Sequence, residues 1–526
     1  MDELCGIINI YKESGCTSHS AAAAVKKVVR TKTGHTGTLD PNAEGVLPVC
    51  VGRATKLFEK YSSMGKTYRA EIILGVTTDT ADITGNIIKN DSADGISVTE
   101  VQKAASNFIG GYMQMPPMYS ALKINGKKLY EIARSGKIAE REPRFVQIDK
   151  INVFPHEKSG RYWLEVFCGK GTYIRTLCED IGNRLGCGAC MGSLLRTEAG
   201  GFYSKDGIKL DVLQKTHEND LWKLCGSVLT IGKFECMHKG HRTLIKTVAD
   251  IAKEECLTAA VITFDPHPYK FFKNKNYQML YTKNEIMRQF FEAEIKVETI
   301  NFDEAFAAKE PEEFCRRIFY EYNCRVLVVG EHFKFGKDRK GDVNFLIEYA
   351  KKAKRKIVTV PSVLTRGGAA VCSSLIRNIL TETYKDGALQ EAEAMLGSPF
   401  FILGTVEHGK KIGKLIGYPT INIVPPSDKF LPVYGVYATL TSIFGKKYKS
   451  ITNVGIKPTV ANDGQPSTET NIFGFDGDLY GCEIKIEFLL FIRHERRFES
   501  LHELSGQMQK DITTAEIFFK GYFNEN

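Results

Sequence analysis

The sequence predicts a multidomain protein that combines α+β and α/β folds. The chain has 526 residues, 43% of them apolar, which is enough for three or four packed domains of about 150 residues each. The pattern of predicted strands, helices and turns changes twice along the chain. Strand-like and helical runs alternate irregularly at first, a strand–helix–strand order follows, and short strands between glycine-rich turns come last. These changes divide the chain into three predicted segments.

The first segment, residues 1–212, has the α+β pattern. Short strand-like runs occur at 67–74 and 163–167, and a helical pattern occurs at 21–30. The polar stretch 213–226, which contains the run KTHEND, is typical of a linker. We therefore expect one domain that ends near residue 212.

The second segment, residues 227–385, begins with a β-rich run at 228–231. A helical pattern follows at 241–253, and a further strand is predicted at 257–264. A strand that returns through a helix lies parallel to its predecessor. This order predicts an α/β domain built on a parallel sheet.

The third segment, residues 398–526, contains short strands separated by glycine turns. Strands are predicted at 434–441, 448–454 and 483–491, and a helix begins at about residue 501. Many short strands with such turns favour a small antiparallel β-barrel. We expect the C-terminal helix to cap that barrel.

The charge balance is compatible with a polyanionic partner. The net charge is +9, and residues 1–210 contain 28 Lys and Arg against 22 Asp and Glu, an excess of six. Charged faces of ordinary proteins are usually only solvated, so this asymmetry does not define a function by itself.

The fourteen cysteines are scattered singly, which predicts reduced thiols rather than a disulfide framework. Cys187 and Cys190 have metal or redox spacing, but no second Cys/His pair stands at zinc-site distance, so a structural role is favoured. The chain begins with MDE, where a signal peptide would be basic, and it lacks an apolar run of about 20 residues. We expect a cytoplasmic location and no membrane contact.

A glycine-punctuated loop at residues 34–41, GHTGTLDP, presents the carboxylate of Asp40 just before a proline. With GVLP at 45–48 and GRATK at 52–56, it resembles the tRNA pseudouridine-55 synthase family, whose catalytic aspartate occupies this context. The resemblance covers about 210 residues. It implies a mixed-sheet domain that converts uridine-55 of the tRNA T-loop to pseudouridine, with Asp40 as the catalytic residue and without a cofactor.

The same resemblance assigns four further residues. Tyr68, in GKTYRA, matches the aromatic residue that stacks on a flipped base, and Arg175, in CGKGTYIRTL, matches the arginine that pairs with the aspartate. A bidentate guanidinium suits a carboxylate that must stay ionised in a closed pocket. His35 and Lys12 are assigned to RNA binding, although the family's Lys-Pro-x-Gly is KESG here. We recognise no C-terminal RNA-binding extension of this family.

A second chemistry is predicted at residues 232–241, GKFECMHKGH. His238 and His241 lie three residues apart at a predicted helix N-terminus, where backbone N–H groups and the helix dipole favour phosphate. With FDPHP at 264–268, GEHFKFG at 330–336 and SSLIR at 373–377, this segment resembles the FMN adenylyltransferase module of bacterial bifunctional riboflavin kinase/FAD synthetases. The resemblance implies a Rossmann-like nucleotidyltransferase domain.

In that family the last block contacts the ATP phosphates, which assigns nucleotide binding to Ser373, Ser374 and Arg377. The family's Gly-x-Phe-Asp-Gly is GKFEC here, so Glu235 and Cys236 depart from it. We expect a cysteine in place of glycine to hinder close approach of the loop backbone to a phosphate.

A third chemistry is predicted where GTVEHG at 404–409 is followed by Gly413 and by GYPTIN at 417–422. A hydroxyl and an amide two residues apart on one strand face suit Mg²⁺ on ATP. The pattern resembles the riboflavin kinase domain, which implies a small antiparallel β-barrel flavokinase domain with a C-terminal helix. The resemblance assigns site residues to three roles: metal binding to Thr420 and Asn422, the base for the ribityl hydroxyl to Glu469, and nucleotide binding to Gly404, His408, Gly409, Gly413 and Gly417.

Together these resemblances predict a fused enzyme that modifies tRNA, phosphorylates riboflavin to FMN and adenylylates FMN to FAD. Its predicted partners are the tRNA T-loop, riboflavin, FMN and ATP with Mg²⁺, and no stable protein partner is implied. One alternative is an RNA-binding or tRNA-modifying domain joined to a riboflavin kinase, with the adenylyltransferase or another module decayed. A second keeps an active middle domain but gives it another phosphate-containing substrate.

Overall fold

The computed structural model of the chain describes residues 4–120, 122–124, 127–129, 132, 139–272, 277–293, 295–408, 413, 417–456 and 466–525. Contacts between Cα atoms divide the chain into two compact units. The first comprises Met1–Ser227 with Glu254–Thr258, and the second comprises Val228–Lys253 with Ala259–Asn526.

An eight-stranded mixed sheet forms the first unit. Strand Ala189–Ala199 runs parallel to Glu44–Val51 and antiparallel to Lys66–Leu74. The spatial order is Gly6–Lys12, Glu44–Val51, Ala189–Ala199, Lys66–Leu74, Arg161–Cys168 and Ile148–Pro155, with Thr33–His35 and Phe202–Tyr203 paired at its side. Smaller pairs join Val76–Thr78 to Ile87–Asn90, Tyr112–Gln114 to Arg144–Val146, and Lys123–Ile124 to Lys127–Lys128. The expected α+β organisation is confirmed.

The helices of the first unit cover this sheet. They are Ser18–Val29, Phe58–Ser63, Val98–Ser106, Ile174–Leu185, Leu210–Lys215 and Leu221–Leu224. Strand Arg161–Cys168 alternates buried and partly exposed residues, as a strand with one face on a core should. Helix Ile174–Leu185 buries Leu177 and Ile181 in the core cluster that also contains Leu164.

The helix predicted at 21–30 begins three residues earlier, at Ser18. Thr17 accepts a hydrogen bond from the backbone N–H of Ser20 in a capping box, which the apolar pattern alone did not reveal. Arg30 ends the helix in the left-handed conformation. Ser18 is thereby buried at the helix start, where its hydroxyl faces the loop before Asp40.

The stretch predicted as a linker, residues 213–226, packs in the first unit. Leu213, Leu221 and Cys225 are buried in a core cluster with Ile8 and Val25. The polar letters KTHEND fall on the partly or fully exposed positions between these apolar residues. The boundaries that we gave for the domains remain predictions.

The second unit contains a five-stranded sheet in the order Lys296–Asn301, Thr258–Asp265, Ser227–Ile231, Cys324–Gly330 and Lys356–Val360. Both outer pairings are parallel, as the β–α–β order predicted. Its helical segments are Lys239–Glu254, Pro268–Phe272, Lys283–Glu292, Glu304–Ala307, Pro311–Arg316, Arg317–Glu321, Val343–Lys352, Ser373–Leu380 and Ala388–Leu396.

The second unit also contains a closed antiparallel barrel. Its strands follow one another in the order Phe401–Glu407, Thr420–Ile423, Pro466–Ile472, Lys446–Ile456, Gly435–Ile443 and Glu483–His494. Helix Leu501–Glu525 follows the last strand, and its Ala515 and Phe519 are fully buried against the barrel. The predicted barrel with a C-terminal helix is confirmed.

Hydroxyl groups, rather than apolar side chains alone, join neighbouring strands of this barrel. Thr439 bonds to Ser450 and to Thr452 at 2.8 Å, Thr452 bonds to Thr470 at 2.9 Å, and Thr441 bonds to Ser450 at 2.8 Å. All five residues are 0–1% exposed. Buried hydroxyls are stable only when each has a partner, so the five depend on one another.

All fourteen cysteines are free thiols, and ten of them are buried. Cys187 and Cys190 are both buried. Over the residues that the structure describes, no helix has both the length and the apolar character needed to cross a lipid bilayer.

Replacing Thr452 by valine should destabilise the barrel by about 1–3 kcal/mol, because Thr470 loses its hydroxyl partner without a change in side-chain volume. Both tryptophans, Trp163 and Trp222, belong to the first unit. Tryptophan fluorescence therefore does not report on the barrel, and hydrogen exchange of the Lys446–Ile456 amides is the appropriate measurement. Thr405→Val, at an exposed strand position, is the matched control. Equal exchange rates in both variants would show that the buried hydroxyls do not stabilise the barrel.

Candidate active sites

The carboxylate of Asp40 is paired with the guanidinium of Arg175. Arg175 Nε lies 2.9 Å from Asp40 Oδ2, and Nη2 donates to Oδ1 at 3.2 Å. The Arg175 side chain is 5% exposed, whereas that of Asp40 is 39% exposed. The arginine is therefore a buried support, and the carboxylate is the part that a substrate can reach. The structure brings these two predicted residues together across 135 positions of sequence.

Arg175 is held by further acceptors that sequence reasoning missed. Its Nη2 donates to the Tyr119 carbonyl at 2.8 Å, its Nη1 to the Thr80 carbonyl at 3.3 Å, and Asp82 Oδ2 lies 3.6 Å away. These contacts fix the plane of the guanidinium, so the geometry of the Asp40 pair is set by more than the pair itself. Asp82 forms an isolated β-bridge with Met191 and lies in no distinctive motif, so it could not be predicted from its neighbours in sequence.

The loop before Asp40 is held by Ser18. Its hydroxyl donates to the Leu39 carbonyl at 3.0 Å and accepts from the Leu39 N–H at 2.8 Å. Both bonds are buried, and they satisfy the polar groups of the residue next to Asp40. The backbone at the carboxylate is therefore constrained.

Lys12 supports the same loop from the other side. It is fully buried, and its Nζ donates to the carbonyls of Glu13, Pro41 and Ala43 at 3.1, 3.0 and 2.6 Å. Burial lowers the pKa of its ammonium. This placement is contrary to the RNA contact that we predicted, because the group lies beneath the loop. Its ammonium instead bonds to the loop backbone.

Tyr68 lies on strand Lys66–Leu74, opposite Arg196 of the neighbouring strand. It is 8% exposed, and burial raises the pKa of its hydroxyl while the nearby Arg196 partly offsets that rise. Arg196 is 1% exposed and donates to the carbonyls of Val46 and Gly37 at 2.8 and 3.1 Å. Arg196 belongs to the motif LRT at 195–197, which could have identified it from the sequence.

Gly45 shows why this region needs glycine. Its φ is +111°, and a Cβ there would lie 2.2 Å from the Arg196 carbonyl oxygen. Only glycine tolerates both conditions. The strand after the Asp40 loop can therefore approach the Arg196 strand closely.

His35 is partly exposed at the end of strand Thr33–His35. Burial lowers the pKa of its imidazole, and the neighbouring Arg196 and His19 act in the same direction. Among the described residues, its Nδ1 is a buried atom without a hydrogen-bond partner. A neutral, partly exposed ring is suitable for stacking on a base.

The second site lies at the start of helix Lys239–Glu254. The rings of His238 and His241 stack with centroids 3.8 Å apart. His238 Nδ1 accepts from the His241 N–H at 3.3 Å, and His241 Nδ1 contacts the Cys236 carbonyl. From these partners, neutral His238 presents an Nε2–H donor, and neutral His241 presents an acceptor at Nε2.

A cavity of about 900 Å³ opens in front of these histidines. Its lining includes both imidazoles, Lys233, several aromatic side chains such as Phe264 and Phe302, and the loop 330–336. Lysines and imidazoles beside aromatic rings suit a phosphate joined to planar ring systems. Among the described lining residues, none comes from helix Ser373–Leu380.

Arg377 does not face this cavity. Its guanidinium pairs with the carboxylate of Glu235, donates to the Tyr277 hydroxyl at 3.0 Å, and lies 4.9 Å from the Phe430 ring centre. Glu235 is 3% exposed. We predicted that Arg377 binds ATP phosphates. In this structure it instead anchors, through Glu235, the loop 232–238 that precedes helix Lys239–Glu254, which we call the histidine loop. Sequence reasoning treated Glu235 only as a departure from the family.

Cys236 is fully buried, with its Sγ 3.4 Å from the hydroxyl of Ser373. Burial raises the pKa of its thiol to about 12, so the thiol is neutral. It fills the contact between the loop and helix Ser373–Leu380 rather than the cavity. Ser373 is partly exposed, and Ser374 is exposed at the helix start.

The third site lies on the barrel strand Thr420–Ile423. Thr420 and Asn422 occupy alternate positions, and Asn422 pairs with Glu469 of the next strand. Asn422 is 4% exposed, and among the described residues its Oδ1 is buried without a hydrogen-bond partner. Glu469 is exposed between buried Thr468 and Thr470. The structure therefore places an amide oxygen and a carboxylate on the same face.

The structure describes only part of the glycine-spaced segment 404–417 that we assigned to the nucleotide. His408 is exposed, and its ring centre lies 3.9 Å from that of Tyr480. Gly413 accepts from the Tyr418 N–H at 2.8 Å, and a Cβ on it would lie 2.3 Å from the Tyr418 carbonyl oxygen. Gly404 lies in strand Phe401–Glu407, and Gly417 is exposed beside Tyr418. Gly409 lies outside the described residues.

The geometry defines a multifunctional enzyme, because the chain contains three separate candidate sites. They are an exposed carboxylate on a buried guanidinium, stacked histidines on a large cavity, and a barrel strand with an amide oxygen beside a carboxylate. Family models match the chain consecutively. They are the TruB family pseudouridylate synthase N-terminal domain at 25–174, the tRNA pseudouridylate synthase B C-terminal domain at 175–225, FAD synthetase at 221–375 and riboflavin kinase at 396–519.

The chain belongs to the tRNA pseudouridine synthase B family. It is 48% identical over 222 residues to tRNA pseudouridine synthase B of Staphylococcus haemolyticus, covering 41% of this chain and 73% of that protein. It is 42% identical over 290 residues to the same enzyme of Listeria innocua, covering 50% of this chain and 94% of that protein. The remainder contains the FAD synthetase and riboflavin kinase domains, so the predicted fusion is confirmed.

A solved structure described as a macrolide-efflux protein from Streptococcus pneumoniae is also similar. It has 29% identity and a TM-score of 0.50, and the match covers 55% of this chain and 94% of that one. The C-terminal domain of the synthase family matches at 175–225, residues that we had divided between the catalytic domain and the linker.

Three buried imidazoles should make the second unit sensitive to acid. Burial lowers the pKa of His238 and His267 to about 3 and that of His241 to about 4. These histidines take up protons near pH 6.5 in the unfolded chain but not in the folded state. The free energy of unfolding therefore decreases as the pH is lowered from about 6.5. The expected loss is roughly 1 kcal/mol per pH unit and histidine.

Hydrogen exchange of helix Lys239–Glu254 at pH 7, 6 and 5, corrected for the intrinsic exchange rate, measures this loss. His241→Gln should reduce the pH dependence, and His502→Gln, at an exposed position, should leave it unchanged. A protection factor that stays constant from pH 7 to pH 5 would contradict the assignment of neutral, buried imidazoles.

Proposed function

We propose that the first unit converts uridine-55 in the tRNA T-loop to pseudouridine and that Asp40 is its catalytic residue. The observation that supports this most directly is the accessible Asp40 carboxylate on the buried Arg175 guanidinium. The reaction breaks the bond between uracil N1 and the ribose and forms a bond from the ribose to uracil C5. A carboxylate held in one orientation is suited to act as the nucleophile.

The other residues have distinct roles in this proposal. Arg175 orients the carboxylate, because its guanidinium contacts both carboxylate oxygens. Tyr68 supplies an aromatic face for the flipped uracil, and His35 contacts the RNA loop. Lys12 and Ser18 hold the loop backbone, so they act through Asp40 rather than on the RNA.

Asp40→Asn should lower the rate of pseudouridine formation by roughly 10³-fold or more while tRNA binding is retained, since only the nucleophile is lost. Arg175→Lys should lower it by roughly 10²-fold, because a lysine cannot pair in two places. The measurement is single-turnover release of tritium from [5-³H]uridine-labelled tRNA, together with filter binding.

Asp94→Asn, at an exposed loop position, is the matched control and should behave as wild type. Wild-type turnover by the Asp40 variant would exclude Asp40 as the nucleophile. Loss of tRNA binding without loss of the single-turnover rate at saturation would assign Asp40 to binding instead.

We further propose that the barrel phosphorylates riboflavin to FMN with Mg-ATP and that Glu469 is the base for the accepting hydroxyl. Oxygen ligands suit Mg²⁺, and the buried, unpartnered Oδ1 of Asn422 fits such an ion with the Thr420 hydroxyl beside it. When bound, the ion would neutralise charge on the ATP phosphates. His408, Gly413 and Gly417 border the loop that we assign to the nucleotide.

Glu469→Gln should reduce FMN formation by roughly 10²–10⁴-fold, because the amide cannot accept the hydroxyl proton. ATP binding, followed by calorimetry, should change little. Glu516→Gln, on the exposed face of the C-terminal helix, is the matched control. Full turnover by the Glu469 variant would remove its role as base.

For the middle domain, we propose that FMN is adenylylated to FAD in the cavity of about 900 Å³. The support is the pair His238 and His241 at a helix start, with Lys233 beside them. A phosphate binds there through N–H donors that are already in place. The adjoining riboflavin kinase domain makes FMN the favoured substrate. A cytoplasmic location and the lack of a stable protein partner remain predictions.

A further inference from the structure

Residues Asp428–Phe430 join the two flavin domains within the second unit. They lie in the sequence matched by riboflavin kinase, whereas Met279 lies in the sequence matched by FAD synthetase. The Met279 N–H donates to the Asp428 carbonyl at 2.6 Å, and the Phe430 N–H donates to the Met279 carbonyl at 2.7 Å. A backbone segment of the kinase domain therefore pairs with a segment of the transferase domain.

Lys429 makes this contact specific. Its side chain is fully buried, and Nζ donates to the Leu280 carbonyl at 2.8 Å, the Phe401 carbonyl at 2.9 Å and Glu285 Oε2 at 2.9 Å. The other oxygen of Glu285 accepts from the Leu403 N–H at 2.9 Å. A buried cation is tolerated only when its donors are all matched in this way, so the arrangement has little freedom to change.

The Lys429 contact leads directly to the histidine loop. The residue that accepts from Lys429, Leu280, donates its N–H to Glu235 Oε1 at 3.4 Å, and Tyr281 N–H donates to the Glu235 carbonyl at 3.2 Å. The next carbonyl, that of Cys236, contacts the His241 ring. Three successive contacts therefore connect the Lys429 ammonium to a catalytic-site imidazole.

Phe430 supports the same carboxylate by a second route. Its ring lies 4.9 Å from the guanidinium of Arg377, which pairs with Glu235. The Tyr277 hydroxyl, 2.9 Å from Glu235 Oε1, completes the group. Two adjacent kinase residues thus contact Leu280 and Arg377, which both bond to Glu235.

We propose that Lys429 and Phe430 of the kinase domain are positioning residues for adenylyl transfer. They fix Glu235, and through it the loop that presents His238 and His241. The inference rests on the proposed FMN adenylylation. It follows that the transferase site is complete only when the kinase domain is docked on it, although Lys429 and Phe430 are not among the residues that line the cavity.

The test uses the full chain with FMN and Mg-ATP, measuring FAD by chromatography. The Lys429→Met/Glu285→Gln double variant removes both charges together. It should lower kcat for FAD formation roughly 10- to 100-fold, as a displaced catalytic loop would, with KM for FMN within about threefold. Riboflavin phosphorylation in the same preparation should stay within about twofold of wild type and reports that the barrel is folded.

Arg288→Gln is the matched control. Arg288 pairs with Glu483 across the same two domains, but its side chain is half exposed and it has no described contact with the histidine loop. FAD formation by this variant should stay within about twofold of wild type. An equal loss in Arg288→Gln would overturn the specific role of Lys429.

If the double variant also loses kinase activity, a further variant, Phe430→Leu, tests whether the kinase residues position the histidine loop. It keeps an apolar residue and removes only the ring beside Arg377, so kcat for FAD formation should fall several-fold at constant kinase activity. Unchanged FAD formation in this variant would then overturn the inference. If the wild-type chain itself forms no FAD, the proposed adenylyltransferase function fails instead.

Discussion

The loops that bear the proposed active residues depend on buried cations bonded to backbone carbonyls. Lys12, Arg175, Arg196 and Lys429 are each 5% exposed or less, and each donates to at least two carbonyl oxygens. Burying a charge costs several kcal/mol unless its donors are matched. A loop that supplies the matching oxygens is therefore held in the one conformation that satisfies the cation.

This constraint is the same at unrelated sites. In the first unit, Lys12 and Arg196 hold the two ends of the Asp40 loop, and Arg175 meets the carboxylate itself. In the second unit, Lys429 holds the segment on which Glu235 and the histidine loop rest. Asp40 can therefore be partly exposed, because its position is fixed by neighbours that are buried.

The sequence was sufficient for the fold and for short-range motifs. Periodicity located the strands and helices to within a few residues, and the Asp40, His238 and Thr420 segments are recognisable because their residues are adjacent in sequence. It was insufficient for supports formed at long range. Asp82, Ser18 and Lys429 lie in no local motif that would reveal their role. For Lys12 and Arg377 we predicted contacts with RNA and with phosphate. Those predictions were wrong because packing sets the direction and burial of a side chain, and the sequence motif does not show it.

One chain contains three candidate sites on these supported loops, and we propose that all three are active. The most direct measurement gives the purified intact chain an unmodified tRNA, riboflavin and Mg-ATP in one reaction, then separates nucleosides and flavins by chromatography. We expect pseudouridine at position 55 together with FMN and FAD. Unchanged uridine in the tRNA, or riboflavin that is converted no further than FMN, would contradict the proposed activity of the corresponding site.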